Sequence, residues 1–456
     1  MPGMSDTATS SARTILTIMA GSLLLLLVLA AAAFWRLDQR VRKAGDEVVA
    51  EAQALESLRV VRPSHTASPL PGSLAQTLGP LMPELLALQK AEPPLEEPVN
   101  ARCREVRDGQ RPAQELPEEC RVALERGRPL MQRALRASRT TEGGLPEGFH
   151  ALSDPQHPHQ QSGMVAILHV LKLATFEMRF QLESGQADAA LEHCLDGLAL
   201  SRDLGHGTGM LGALFSAAGY TNLFRPCVDA LQHASPASQK QATVALRRIR
   251  EGLSPASSTI RMERVHTRLF SFGRVLGPGQ VEALPAGAKA LVEQDRSGRM
   301  GQDSPLHMSL LMRHAFIELP RLQARIVTLV DLSLAQRVAP FEQLRREAES
   351  SWNPLIRDGL SNFHRFGAIV DQQRAQADLL LALALVRTHR AESGTWPTTL
   401  PTLYPEREVL LPTALTLQPG EAGTLVLVPE DAYLQQLSAA LQPEMTPQAL
   451  SLLVTP

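Results

Sequence analysis

The chain predicts a mainly α-helical protein with an N-terminal transmembrane helix, an irregular multi-helix array and a small C-terminal lobe built on a β-hairpin. Three observations carry this expectation. An uncharged apolar run of membrane-spanning length lies near the N-terminus, apolar residues then recur at helical spacing through most of the chain, and strand-like alternation is confined to the part beyond residue 396. Apolar residues make up 44% of the 456 residues and aromatics only 4%, a Leu- and Ala-rich balance that suits packed helices.

The run Thr14 to Trp35, TILTIMAGSLLLLLVLAAAAFW, contains no charge. At 1.5 Å per residue its 22 residues cross a hydrocarbon core of about 30 Å. A cleaved signal peptide is the rival reading, with Ala31-Ala32-Ala33 as a small-residue cleavage site. The run exceeds the usual signal core of about 7 to 15 residues, and the helical pattern continues past it, so a retained anchor is expected. The lipid bilayer is then a partner through residues 14–35, and 1–13 form a tail.

Residues 36–60 read as a helical stalk. Leu37, Val41, Ala44, Val48, Ala52, Leu55 and Leu58 follow a nearly heptad spacing, which admits a homodimer through residues 37–58. Gly45 and the two alanines weaken that seam, so packing of the helix on its own domain stands beside it.

The flanking charges and the cysteines disagree about orientation. Arg13 precedes the span while Arg36, Arg40, Arg42 and Lys43 follow it, which by the positive-inside rule keeps the C-terminal bulk in the cytoplasm. Cys103 and Cys120, however, bracket a turn-rich loop whose closure by a disulfide contributes about 3 kcal/mol, and such a bond persists in an oxidising compartment. The expectation adopted is a single-pass protein of the bacterial inner membrane with an extracytoplasmic, periplasmic domain.

Residues 61–116 carry Pro63, Pro69, Pro71, Pro80, Pro83, Pro93, Pro94 and Pro98, and read as a Pro-rich tether holding one amphipathic piece, 73–89. An α-helical domain follows over 117–395, with helices expected near 117–138, 160–183, 187–204, 208–233, 236–252, 255–272, 281–296, 305–336, 338–351 and 358–392. Residues 396–456 form the small α/β C-terminal lobe, where 414–418 and 424–428 read as a β-hairpin.

Two local resemblances follow from particular residues. In 165–204, Gly185 at a turn and Ala190, Cys194 and Gly197 at small positions resemble one tetratricopeptide helix hairpin, with no second copy at the family's period of about 34 residues. HRAESGTWPTTLPTL, from His389 to Leu403, resembles the G-x-[YW]-P-x-x-L-x-x-L element of type II secretion pseudopilins. That likeness implies a similar helix-to-hairpin structure. A pseudopilin also has a processed leader with a Glu early in the apolar helix, and neither accompanies Thr14–Trp35. The whole chain resembles uncharacterised single-pass, membrane-anchored helical proteins of high-GC bacteria, in keeping with only five Lys among its 45 basic residues.

The chemistry-bearing motifs are few. Gly207-Thr-Gly209-Met-Leu-Gly212 matches the dinucleotide fingerprint, but helical spacing precedes it and no strand-borne acid follows about 20 residues later, so it reads as a helix-helix corner. Glu147-x-x-His150 and Glu263-x-x-His266 match half of a di-iron pattern; the first lies in a Gly/Pro run and cannot supply one-turn spacing. His150, His157 and His159 share a polar loop, and His193 and Cys194 point about 100° apart on a helix. Whether Cys194 pairs with Cys227 stays open. H-E-x-x-H, G-x-S-x-G, Walker A and C-x-x-C do not occur.

No cofactor or metal is therefore expected. A net charge of −2 leaves no field for a nucleic-acid partner, and Arg247-Arg248-Ile249-Arg250 reads as a solvated helix face. The reading reached is a binding or scaffold module of the cell envelope with a protein or peptide partner. An enzyme with a site among the helices is the alternative, drawing on His169, Glu177, His266, His314 and Glu318. A structural component of a secretion or surface-assembly system is the third reading.

Overall fold

In the computed structural model, the described residues are 6–56, 62–91, 95–297, 306–360, 363–400, 415–419, 425–429 and 452–454. The tail residues 1–5, the stalk residue Leu58, Leu403 and the expected helical part of the C-terminal lobe lie outside them. The apolar run and the stalk form one helix, α1 (Asp6–Glu56). Among the described residues, its segment Met19–Glu56 is the one helix long and apolar enough to cross a membrane. Leu23 to Leu29 are all more than half exposed on the isolated chain.

The remaining elements begin with β1 (Leu70–Ser73), α2 (Leu74–Leu78), α3 (Met82–Lys90), α4 (Glu97–Arg107), α5 (Glu118–Ala137) and β2 (Thr140–Glu142). A run of long helices follows: α6 (Gln161–Glu183), α7 (Ala187–Leu204), α8 (Gly209–His233), α9 (Pro236–Glu251) and α10 (Ala256–Phe272). After these come α11 (Pro278–Glu282), α12 (Ala286–Ser297), α13 (Leu306–Leu329), α14 (Leu334–Glu349), α15 (Pro354–Arg357) and α16 (Phe363–Ser393), then β3 (Leu415–Pro419), β4 (Leu425–Pro429) and β5 (Leu452–Val454). The fold is mainly α, as the apolar periodicity predicts.

Two cores divide the helices. The first is built by α2 to α9 and the C-terminal two-thirds of α16, around residues such as Leu171, Leu198, Phe224 and Leu383. The second gathers the stalk half of α1 with α10 to α15, around Val48, Leu269, Leu291, Phe316 and Phe366. Helices α8 and α16 run through both, so the cores share two struts. Cys103–Cys120 ties α4 to α5 and Cys194–Cys227 ties α7 to α8, with Cα separations of 6.6 and 5.4 Å.

The stalk packs on its own domain. Val41, Ala44, Val48, Val49 and Ala52 are buried in the second core. Gly45 sits where the Gln280 amide approaches to donate to the Arg42 carbonyl at 2.8 Å, and a Cβ there would meet that amide at 2.5 Å. Arg264 pairs with Glu51 at 2.7 Å, and Arg268 donates to the Ala44 carbonyl while lying 4.9 Å above the Phe316 ring. Burial pushes the Arg268 guanidinium down to about 10, with Glu51 partly offsetting it. Of the two uses of the seam, the intramolecular one is present here.

The expected tether at 61–116 is a correction. Leu74, Leu78, Leu81, Met82, Leu85 and Leu88 are buried in the first core, and Arg62 and His65 are buried beside them. Proline misleads here because Pro80 and Pro83 occupy first-turn positions of helical segments, where a missing N–H costs nothing. Strand β1 also pairs in parallel with β2, a link between residues 70 and 140 that no local pattern announces.

Helix boundaries differ at three places. The helix expected over 281–296 is interrupted before Ala286, at Pro285, and that expected over 305–336 ends at Leu329. There Ser333 accepts from the Gln336 amide while the Gln336 side chain accepts from the Ser333 amide, a capping box that starts α14 four residues before the expected 338. The long helix expected from 358 begins at Phe363, because Asp358–Leu360 forms a 3₁₀ turn. The β-hairpin forms one residue later than expected, with Leu417 opposite Leu427, and gains β5 as an unforeseen antiparallel third strand.

Candidate functional site

The glycine-rich corner borders a wide cavity. Gly207 and Gly209 both adopt positive φ, +73° and +68°, which turns the chain from α7 into α8. The Ala151 amide donates to the Gly207 carbonyl at 2.9 Å, so the histidine-bearing loop packs on this corner. At the start of α8 the Glu263 carboxylate, reaching from α10, accepts the Met210 amide at 3.2 Å. A carboxylate there satisfies an orphan donor and suits the positive end of a 25-residue helix.

From this corner a cavity of about 900 Å³ opens between α10, α13, the α15 turn and the start of α16. Its walls are largely apolar, with Met210, Phe270, Phe272, Met312, Leu319, Leu355 and Phe363 prominent among them. Gly359 allows the α15 turn to close on α13, since a Cβ there would meet Leu319 Cδ1 at 2.8 Å. Pro320 lies inside α13 between the lining residues Leu319 and Gln323 and removes one intrahelical hydrogen bond beside the cavity.

The polar groups are sparse and specific. Gln323 is 1% exposed, and its Oε1 accepts no hydrogen bond. A buried carbonyl oxygen left this way costs about 1–3 kcal/mol, which makes it a place where a donor is wanted. Arg274 is held by Asp295, with Nη2 to Oδ1 at 2.6 Å and its own backbone amide to Oδ2 at 2.9 Å. Glu263 lies 3.6 Å from His266 Nδ1. Burial alone would push the Glu263 carboxyl up, but His266 and the Met210 amide more than offset it and hold it below its ordinary value. Asp358 also lines the space, so that Glu263, Asp358 and the Arg274–Asp295 pair make up its charged border.

Of the five ionisable residues singled out from the sequence, His314 and Glu318 lie one turn apart on α13, where the Glu318 charge acts on the His314 ring, and the other three stand on other helices. Glu177 on α6 pairs with Arg128 at 2.9 Å, and Glu318 on α13 pairs with Arg40 and Arg321 at 3.1 Å each. His266 stacks on Phe270 at 5.4 Å, next to the cavity wall. His314 lies 4.7 Å from the Trp352 ring, and burial lowers its pKa. His169 lines a smaller space of about 360 Å³ with Cys120 and Phe176, in the other core. None of the five lines the large cavity. His157 and His159 meet edge to face at 4.7 Å, and burial pushes His150 down. Among the described residues no group of three or more His, Cys, Asp or Glu side chains is placed to hold a metal ion.

Sequence reasoning weighed Glu263 as half of a metal motif, where the structure uses it as a helix cap on a cavity wall. It missed Gln323 altogether. The one available signal was a Gln three residues after Pro320 on an otherwise apolar helical face, and nothing in that pattern separates it from a solvated position. Comparison with protein-family models, curated proteins and solved structures finds no match for this chain, so any functional reading rests on the geometry above.

Proposed function

We propose that this chain is a membrane-anchored binding protein of the bacterial cell envelope whose helical domain holds an amphiphilic ligand in the cavity beside its anchor helix. The observation that carries the reading is the cavity itself: its volume and apolar walls fall in the range of small-molecule sites. The catalytic alternative looks for two or more of His169, Glu177, His266, His314 and Glu318 in one pocket, and none of the five lines this cavity. Three carboxylates on the wall, Glu263, Asp295 and Asp358, favour a neutral or cationic head over an anionic one.

Two disulfides in buried positions support the extracytoplasmic placement, because reducing cytosol does not sustain such bonds. A topology reporter fused after Pro456 checks it, and a cytoplasmic C-terminus sinks it.

The binding test is thermal stabilisation of the full chain in lipid nanodiscs by octylamine, octanol and octanoate. Octylamine is expected to raise Tm most and octanoate least, with the effect lost in Leu319→Trp, which fills the space. Equal response to all three, or a response that survives Leu319→Trp, overturns the reading.

A further inference from the structure

We propose that the loop carrying Trp352 is a second membrane contact, seating its indole in the lipid headgroup layer beside the anchor. The inference rests on residues 14–35 spanning the bilayer and adds a docking surface to that reading. Among the described residues outside the apolar run, Trp352 is the most exposed large apolar side chain, at 64%, against 47% for the next, Val244. An indole combines an apolar body with an N–H donor and concentrates at membrane-water boundaries.

Its height above the bilayer follows from the contacts between α1 and α13. Arg313 pairs with Asp38 at 2.8 Å and lies 5.5 Å over the Phe34 ring, while Glu318, further along α13, reaches Arg40 at 3.1 Å. The two helices therefore advance in the same direction, and the turn of α13 that carries Arg313, its eighth residue, lies level with the Phe34–Asp38 turn of α1. That turn is where the apolar run ends, with Trp35 as its last uncharged residue and Arg36 as the first charge. The Trp352 loop is pinned at the same level. Asn353, fully buried, donates from Nδ2 to the Leu311 carbonyl at 2.8 Å, and the Trp352 ring packs 4.7 Å from His314.

Trp35 and Trp352 thus stand at one height on different elements. Trp35 is itself 64% exposed. A helix crossing a membrane at one point can still tilt and rotate, and a second aromatic foot fixes both. The lipid surface is the occupant to which this continuity with the anchor commits. A second copy of the chain or a protein partner covering Trp352 would have to do so inside the headgroup layer.

The test uses the full chain in vesicles of phosphatidylcholine and phosphatidylglycerol, with and without lipids brominated on the acyl chains. The chain has three Trp, so Trp35→Phe with Trp396→Phe leaves Trp352 as the sole emitter, and Trp352→Phe with Trp396→Phe leaves Trp35. The expected result is loss of Trp352 emission in brominated vesicles together with shielding from aqueous acrylamide, as for Trp35. Quenching of Trp35 without quenching of Trp352 overturns the inference and leaves the anchor standing. If neither is quenched, the anchor reading falls and this inference falls with it. Should the double variants fail to fold, Trp352→Cys carrying a nitroxide replaces them, since the four native cysteines are bonded. Greater collision with oxygen than with a soluble nickel chelate is the expected outcome, and the reverse order overturns the proposal.

Discussion

Arg62 grips Asp203 with two parallel hydrogen bonds, Nε to Oδ1 and Nη2 to Oδ2, each 2.7 Å, and both side chains are essentially without solvent. The same guanidinium donates to the carbonyls of Thr140 at 2.9 Å and Ser138 at 3.1 Å. Arg202 adds a second cation at Asp203 Oδ1, 2.9 Å away. One carboxylate on α7 thereby holds the chain segment at 62 and the α5–β2 connection together. Removing Asp203 strands two buried guanidinia, so Asp203→Leu is expected to cost about 3–5 kcal/mol, and Arg62→Leu less, because Arg202 still pairs with the carboxylate. Urea unfolding of the two single variants and the double checks this, with the double costing less than the sum of the singles.

Acid should destabilise the protein in two stages. Burial lowers the pKa of His150 and of His206, whose Nε2 donates to the Gly252 carbonyl at 2.7 Å. The unfolded chain then binds more protons than the folded one once pH drops below about 6.5, and stability falls from there. His206→Gln is expected to flatten that first slope.

A second loss comes from the carboxylates. Burial would raise Asp203, but Arg202 and Arg62 outweigh it and the folded pKa lies below the ordinary value. Its contribution is whole above about pH 4 and disappears as pH falls through the folded value. Tm measured across pH 7 to 3 should show both stages, and Asp203→Leu should remove part of the second.

The two disulfides close loops of different length, with sequence separations of 17 and 33. Chain entropy gives about 3 kcal/mol for the shorter and about 4 kcal/mol for the longer. Replacing Cys194 and Cys227 together by Ala should therefore lower denaturant stability more than replacing Cys103 and Cys120. In native membranes no cysteine should react with maleimide until a reductant is added.

The glycine corner separates strain from crowding. Gly185 and Gly209 share positive φ, +73° and +68°, but only Gly209 has neighbours where a Cβ would stand, Ala151 Cβ at 3.1 Å and Glu263 Oε2 at 3.2 Å. Gly185→Ala should cost about 1–2 kcal/mol from backbone strain alone. Gly209→Ala should cost more and, because it displaces Glu263, should also weaken octylamine stabilisation, which calorimetry on the two variants would resolve.

What could be foreseen from the residues divides along physical lines. The long helices from 118 to 272 were legible because each buries a continuous apolar stripe, and the bonded pair Cys103–Cys120 was legible because turn formers fill its loop. The packing of 62–91 was not. Its leucines read as one small amphipathic piece among prolines, and its two buried polar side chains, Arg62 and His65, meet Asp203 and Asp196 at 2.7 and 2.9 Å only through tertiary packing. The cavity was hidden for the same reason, since Glu263, Gln323 and Asp358 become neighbours through tertiary packing.

The unbroken course of α1 limits what the domain can survey. From Arg36 to Glu56 the helix continues for roughly 30 Å, clamped along that length by Arg264, Arg268 and Gln280. With its lower end in a bilayer, such a mast gives the cavity a set altitude and no swinging reach. Under the proposed membrane placement, the domain would sample a thin layer parallel to the membrane, meeting by lateral drift whatever lies in or just above the lipid surface, while molecules beyond that layer would have to come down to it.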